Sequence, residues 1–310
     1  MADYRRIDTH HHYIPDFYQD EMEAHEVTAG GWPTPRWSTE AAISLMDEEQ
    51  IATGIASISS PGVHFGDDQK ARTLARKVNE FGSELVKDRP DRFGLFASLP
   101  LPDVDGAIAE AEYALDDLHA DGVVLLSNVH GRYLGDPSYE PLWAELERRN
   151  TVVFIHPDAP ALTMLDGMPS PLLDFPFDTT RTALHMVAKG VFRRHPSLRV
   201  ILSHAGGFLP YAAYRFTGVA SFNEGITAET VMEDLLKFYL DTALSSTPVS
   251  LPSLTAFADP THITFGSDFP FAPSTRIFDE MLDGSDLSDE LKVAINRGNA
   301  EALFPRLRAA

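Results

Sequence analysis

The chain has 310 residues, 44% hydrophobic and 23% charged, which excludes wholesale disorder and low-complexity behaviour. Its 46 acidic and 25 basic residues leave a formal charge of −21, which excludes nucleic acid and anionic membranes as partners, because both need basic surface. With no cysteine there is no disulfide, thiolate metal site, iron–sulfur cluster or cysteine nucleophile.

The length fits two ordinary domains or one α/β barrel with insertions. No apolar run approaches the roughly 18 residues of a membrane span. Residues 1–6 lack the apolar core of a secretory signal, so a cytoplasmic location is expected. The charge adds a constraint. An anionic substrate would need local positive charge from a metal or a particular arginine.

Short β-branched runs alternate with longer amphipathic stretches. Strands are expected over 6–12, 53–59, 93–99, 122–127, 152–156, 200–204, 238–243 and 263–268. Helices are expected between them, over 39–49, 69–86, 104–118, 139–149 and 179–194. Alternation predicts a parallel sheet, and eight units predict a closed (β/α)8 TIM barrel, one domain over 1–310. Two segments interrupt the rhythm. Residues 18–37, rich in glycine, proline and aromatics, form an insertion after strand 1, and the proline-rich 164–178 forms a long loop after strand 5. Both would lie on the C-terminal face, where barrel enzymes keep their active sites. A Rossmann-like sheet would instead carry a glycine-rich phosphate loop after strand 1. Here strand 1 ends in three histidines.

Asp8, His10 and His12 lie at i, i+2 and i+4, which in a strand puts them on one face, with His11 on the other. His156 closes strand 5, His204 strand 6 and Asp268 strand 8. In a barrel these ends meet at one mouth, which gathers four histidines and a carboxylate. That is a donor set for zinc or a similar divalent ion.

The arrangement resembles the amidohydrolase superfamily: His-x-His after strand 1, His after strands 5 and 6, Asp after strand 8. Residues 122–128, at strand 4, offer neither the bridging lysine nor the glutamate of binuclear members, so the resemblance implies one metal. Segments 7–15, 203–207 and 265–270, with 96–106 and 134–137, resemble the aminocarboxymuconate-semialdehyde decarboxylase group, which includes the γ-resorcylate and 6-methylsalicylate decarboxylases. That resemblance implies His10, His12, His156 and Asp268 as metal ligands, with Zn2+ or Mn2+ as the ion. It implies His204 as an acid/base that orients a metal-bound water. Arg215, eleven residues after His204, matches an arginine that enters the neighbouring subunit's site and holds the substrate carboxylate, which implies a homodimer. By the residues alone, Arg215 reads equally well as a solvated helix charge. Arg36 is the nearest match to a further arginine of the group.

The reaction this implies is non-oxidative decarboxylation of a small carboxylic acid, most simply an ortho-hydroxybenzoate such as 6-methylsalicylate. Protonation at the carbon bearing the carboxylate avoids an aryl carbanion, and either Asp268 or His204 with a metal-bound water can supply that proton. Phe175, Phe177 and Asp178, and Trp32 and Trp37, are candidate pocket walls; Tyr13 and Phe271 follow ligand-bearing strands and are candidates for the mouth. Core packing is the competing reading for each. His25, His64, His119, His130, His185, His195 and His262 read as structural or solvated. The same five polar residues would also serve a mononuclear hydrolase such as a lactonase. A noncatalytic barrel would be expected to have lost one of them.

Overall fold

The computed structural model describes residues 4–272 and 276–309. Eight parallel strands form one sheet: β1 (Arg6–His12), β2 (Ile51–Ser57), β3 (Phe93–Ser98), β4 (Gly122–Leu126), β5 (Val152–His156), β6 (Arg199–Leu202), β7 (Tyr239–Asp241) and β8 (Ile263–Thr264). They pair in chain order. The sheet closes where Thr9 N–H donates to Phe265 O (2.9 Å), Asp268 N–H to His10 O (2.8 Å) and His12 N–H to Phe269 O (2.8 Å). This is the expected TIM barrel. β7 and β8 are shorter than expected, because both chains leave regular strand geometry at the mouth.

The α-helices among the described residues are α1 (Asp16–Ala24), α2 (Thr39–Glu48), α3 (Asp68–Asp88), α4 (Val104–Asp116), α5 (Glu140–Arg148), α6 (Asp174–Ala188), α7 (Val191–Arg194), α8 (Leu209–Phe216), α9 (Ala228–Leu235), α10 (Ser250–Phe257), α11 (Arg276–Asp283), α12 (Asp289–Val293) and α13 (Asn299–Leu303). In α3 the buried residues Ala71, Leu74, Ala75, Val78, Asn79, Gly82 and Leu85 recur every three or four positions, so one stripe packs on the sheet. Asp67 caps that helix by accepting from Lys70 N–H, as Ser38 caps α2. The first insertion is not all loop, since α1 fills its start, with Tyr18 and Met22 buried. The second gives way to α6 at Asp174. The expected helix over 179–194 breaks at Gly190, whose φ is +73°.

Two apolar layers flank the strands. The outer one lies between sheet and helices. The inner one fills the barrel with Ile7, Ile55, Phe96, Val124, Phe154 and Ile201. The C-terminal segment plugs this interior from below with Ala300, Leu303, Phe304 and Leu307. At the same basal pole Arg6 meets both Asp283 carboxylate oxygens (2.8 Å), Asn296 Oδ1 (2.9 Å) and Glu49 O (2.7 Å).

Asp279 lies beside this cluster, and its buried Oδ2 has no hydrogen-bond partner. Burial pushes the Asp279 carboxyl well up; Arg6 opposes the shift and Glu49 reinforces it. The folded state thus keeps a proton that the unfolded chain releases above the ordinary carboxylate range. Stability is expected to fall as pH rises from that range toward the folded value. Asp279→Asn removes the charge without changing shape. Chemical denaturation should show it more stable than the parent at pH 8.5, by about 1–3 kcal/mol, with little difference at pH 5.

Candidate metal centre

The β1–β2 register decides which histidines face inward. Asp8 pairs with Gly54 and His11 with Ala56, so three steps along β1 match two along β2. This extra residue is a β-bulge, and it reverses the alternation of faces. Ile7 points into the barrel below the bulge, while His10 and His12 point inward above it. The expectation that Asp8 shares their face is corrected by this bulge. Asp8 Oδ2 lies 3.0 Å from His11 Nδ1 and accepts from Ser267 Oγ (2.5 Å), and Oδ1 accepts from the His10 and Ser267 N–H groups (2.9 and 3.0 Å). Asp8 is a rivet between β1 and the segment after β8. The His11 ring stacks on Phe269, 5.0 Å between centroids.

His10, His12, His156 and Asp268 are all buried, and their ligand atoms lie within 4.8 Å of one another. Asp268 Oδ1 is 3.3 Å from His10 Nε2 and 3.4 Å from His12 Nε2. Ligand atoms about 2.0–2.1 Å from one ion stand roughly 3.4 Å apart along a tetrahedral edge, so this spacing suits a shared divalent metal. The buried Nε2 atoms of His10 and His12 have no hydrogen-bond partner in the protein, as atoms awaiting an ion would. The opposite ring nitrogens are all engaged: His10 Nδ1 with Asp241 Oδ2 (2.8 Å), His12 Nδ1 with Ser57 Oγ (3.0 Å) and His156 Nδ1 with Pro157 O (2.8 Å). Each contact aims Nε2 at the centre.

The charge balance agrees. Burial disfavours a charged His10, but Asp241 and Asp268 outweigh it and hold that ring's pKa up at about 10. Burial holds His12 down and His156 well down, keeping them neutral and fit to ligate. Burial opposes ionisation of Asp268, but His10, His12 and His204 outweigh it and hold the carboxyl well below its usual range. The centre therefore favours added positive charge.

His204 follows β6, with Nε2 at 3.3 Å from Asp268 Oδ2. His204 and Asp268 have φ of +53° and +64°, backbone that residues with a Cβ seldom adopt. A cavity of about 420 Å³ opens above them. Its walls are Trp32, Pro171, Leu172, Phe175, Phe208 and Phe271, with Ser59 and Ser245 as neutral polar groups. Among the described residues, no lysine or arginine lines it. The two insertions meet as its roof, where Ser170 N–H donates to Gly30 O (2.8 Å). Gly30 has φ +58°, and a Cβ there would stand 2.8 Å from the Ser170 Cβ, so the contact needs glycine.

The other expected site residues divide. Phe175 lines the cavity, and Phe271 lies 5.7 Å from the His12 ring. Phe177 and Asp178 turn away, because α6 has begun and successive side chains rotate by about 100°. Asp178 instead accepts from Ser127, Asn128 and Tyr133. Trp37 is corrected too: it packs against Tyr13 and Phe81 in the outer core, just ahead of the α2 cap, and Trp32 occupies the cavity. Tyr13 is buried, its hydroxyl donating to Val78 O (2.9 Å). Arg215 is exposed on α8, seven residues and about 10 Å of helix from Phe208, so it does not reach this cavity in its own chain. Arg36 is exposed as well. The sequence reading passed over Asp241. The signal was available: like the other site residues, it is a polar side chain closing a barrel strand.

The amidohydrolase family matches residues 7–306, and the chain belongs to that family. The solved structure of an amidohydrolase II superposes with a TM-score of 0.92, at 34% identity, over 97% of this chain and 99% of that one. Within the family the chain falls in the branch of aromatic-acid decarboxylases. It is 38% identical to 6-methylsalicylic acid decarboxylase of Penicillium expansum over 98% of this chain and 97% of that protein. The structure of 2,6-dihydroxybenzoate decarboxylase in complex with 2,6-dihydroxybenzoate matches with a TM-score of 0.82, at 28% identity, over 97% of this chain and 99% of that one.

His156→Ala removes one donor and leaves an apolar gap. Elemental analysis of the purified variant should show bound metal falling from about one ion per chain to near zero. Full retention would remove His156 from the ligand set.

Proposed function

We propose that this protein is a metal-dependent carboxy-lyase that removes CO2, without oxidation, from an ortho-hydroxybenzoate, and that 6-methylsalicylate is its substrate. The observation that carries the reading is a cluster of three histidines and an aspartate, with His204 beside it, at the floor of an apolar cavity, in a chain related end to end to 6-methylsalicylic acid decarboxylase. His10, His12, His156 and Asp268 would hold the ion, Zn2+ or Mn2+, since such a donor set accepts either. When bound, that ion supplies Lewis-acid stabilisation to the phenolate and carboxylate oxygens.

The chain's own groups do the rest. The aromatic walls, Phe175 and Trp32 among them, hold the ring and exclude water. An apolar wall suits a methyl substituent, which asks for no hydrogen bond. His204 Nε2 lies 3.3 Å from Asp268 Oδ2, so these two groups are the ones placed to pass a proton to the carbon bearing the carboxylate. The C–CO2 bond then breaks, its electron pair returns to the ring, and the product keeps the transferred proton where the carboxylate was.

Among the described residues, the cavity wall offers no lysine or arginine for the carboxylate. Arg215 supports a homodimer that provides one across the interface. It has no acidic partner in its own chain among the described residues, and Tyr211, Tyr214 and Phe222 nearby are 88%, 88% and 89% exposed. Leu162, Leu165, Leu172 and Leu173 add exposed apolar surface around the roof. Large apolar side chains this exposed are what an interface between two copies would cover. Among the described residues no helix is long and apolar enough to cross a membrane. A cytoplasmic enzyme remains our reading of its location.

The decisive experiment is CO2 release from 6-methylsalicylate, 2,6-dihydroxybenzoate and salicylate, with and without chelator. Chelator-sensitive release, fastest with 6-methylsalicylate, is expected. No CO2 from metal-replete protein, with turnover of a lactone instead, would overturn the reading. Arg215→Ala should raise KM about ten- to a hundredfold, the size of a lost charge-assisted hydrogen bond, with metal content unchanged. Mixing Arg215→Ala with His156→Ala protomers should restore activity, because one site in the mixed dimer is then intact. Normal kinetics in Arg215→Ala would sink the shared site.

A further inference from the structure

Asp241, the last residue of β7, is fully buried and meets three parts of the chain. Its Oδ2 lies 2.8 Å from His10 Nδ1. Its Oδ1 accepts the N–H of His204 (2.8 Å) and of Ala243 (3.0 Å). The other two histidines of the cluster lean on a serine hydroxyl and a backbone carbonyl, so His10 alone among them has a carboxylate behind it.

A carboxylate can only accept, so the nitrogen facing it must carry a proton. In the neutral, ligating ring that leaves the lone pair of His10 on Nε2, toward the centre. The two backbone N–H groups stop the carboxylate from rotating away. One of them belongs to His204, whose backbone sits at φ +53° and so needs an external hold. We infer that Asp241 is a positioning residue for the metal: pinned through Oδ1, it uses Oδ2 to lock His10 in the orientation and tautomer that ligate. This rests on the reading of His10 as a ligand.

Asp241→Asn tests it. The amide keeps the shape, and its oxygen can still accept from His204 and Ala243. Its NH2 then faces His10 Nδ1, which has to accept, and the ring's proton moves to Nε2, against the metal. Removing one such partner of a ligating histidine typically weakens metal binding about 10–100-fold. We expect that loss of zinc affinity when the apoprotein is titrated in competition with a chelating dye, while the melting temperature of the apoprotein stays within a few degrees of the parent's. Unchanged zinc affinity in a folded Asp241→Asn protein overturns the inference.

If Asp241→Asn does not fold, Asp241→Glu keeps an acceptor at His10. In the same dye competition Asp241→Glu should then bind zinc about 10–100-fold more tightly than Asp241→Ala, and equal zinc affinity in the two variants overturns the inference. His10→Ala separates this claim from the ligand reading. Wild-type zinc affinity in His10→Ala defeats that reading itself. Lost zinc there, beside normal binding in Asp241→Asn, defeats only the role of Asp241.

Discussion

A bulge in β1 is the constraint on which the site depends. One extra residue between Asp8 and His11 turns His10 and His12 into the barrel and turns Asp8 and His11 out. Without it, the face that carries Ile7 would carry Thr9 and His11 to the mouth, and no pair of imidazoles would stand over the carboxylate of Asp268. Asp8 holds the bulge in place. It bonds to the His10 and Ser267 N–H groups, so barrel closure and the aim of the histidines depend on the same buried carboxylate.

The centre is a balance of few charges in a dry setting. Asp241 and Asp268 flank His10, while burial keeps His12 and His156 neutral. Such an arrangement lacks positive charge, and a divalent ion supplies it. The left-handed backbone at His204 and Asp268 costs of the order of 1 kcal/mol or more at each residue. Fixed acceptors offset that cost: Asp241 takes the His204 N–H and His10 O takes the Asp268 N–H. Both of these left-handed residues line the cavity and border the cluster.

Net charge and local chemistry pull in opposite directions. At −21 the protein repels an anionic substrate at long range. Capture therefore falls to short-range groups, and the cavity wall itself has no side-chain cation among the described residues. The metal and an arginine from a second copy are the two sources our reading assigns. The aromatic walls take the uncharged part of the ring, so charge and hydrophobicity act on different parts of one small molecule.

The barrel is legible in the residues, because alternating β-branched runs and amphipathic stretches admit few other folds. So is the site's membership, since His10, His12, His156, His204 and Asp268 all lie at strand ends that a barrel brings to one mouth. What the paired strands added is that Asp8 leaves the face of His10 and His12, because a bulge is a mismatch between two strands and leaves no period in one. The tertiary structure decided as well that Trp32 rather than Trp37 lines the cavity, that Phe175 faces in while Phe177 and Asp178 face away, and that Asp241 stands behind His10. Each depends on where a loop or helix begins in space. The C-terminal plug belongs with these: Leu303, Phe304 and Leu307 are buried because the barrel's open base gives them a place.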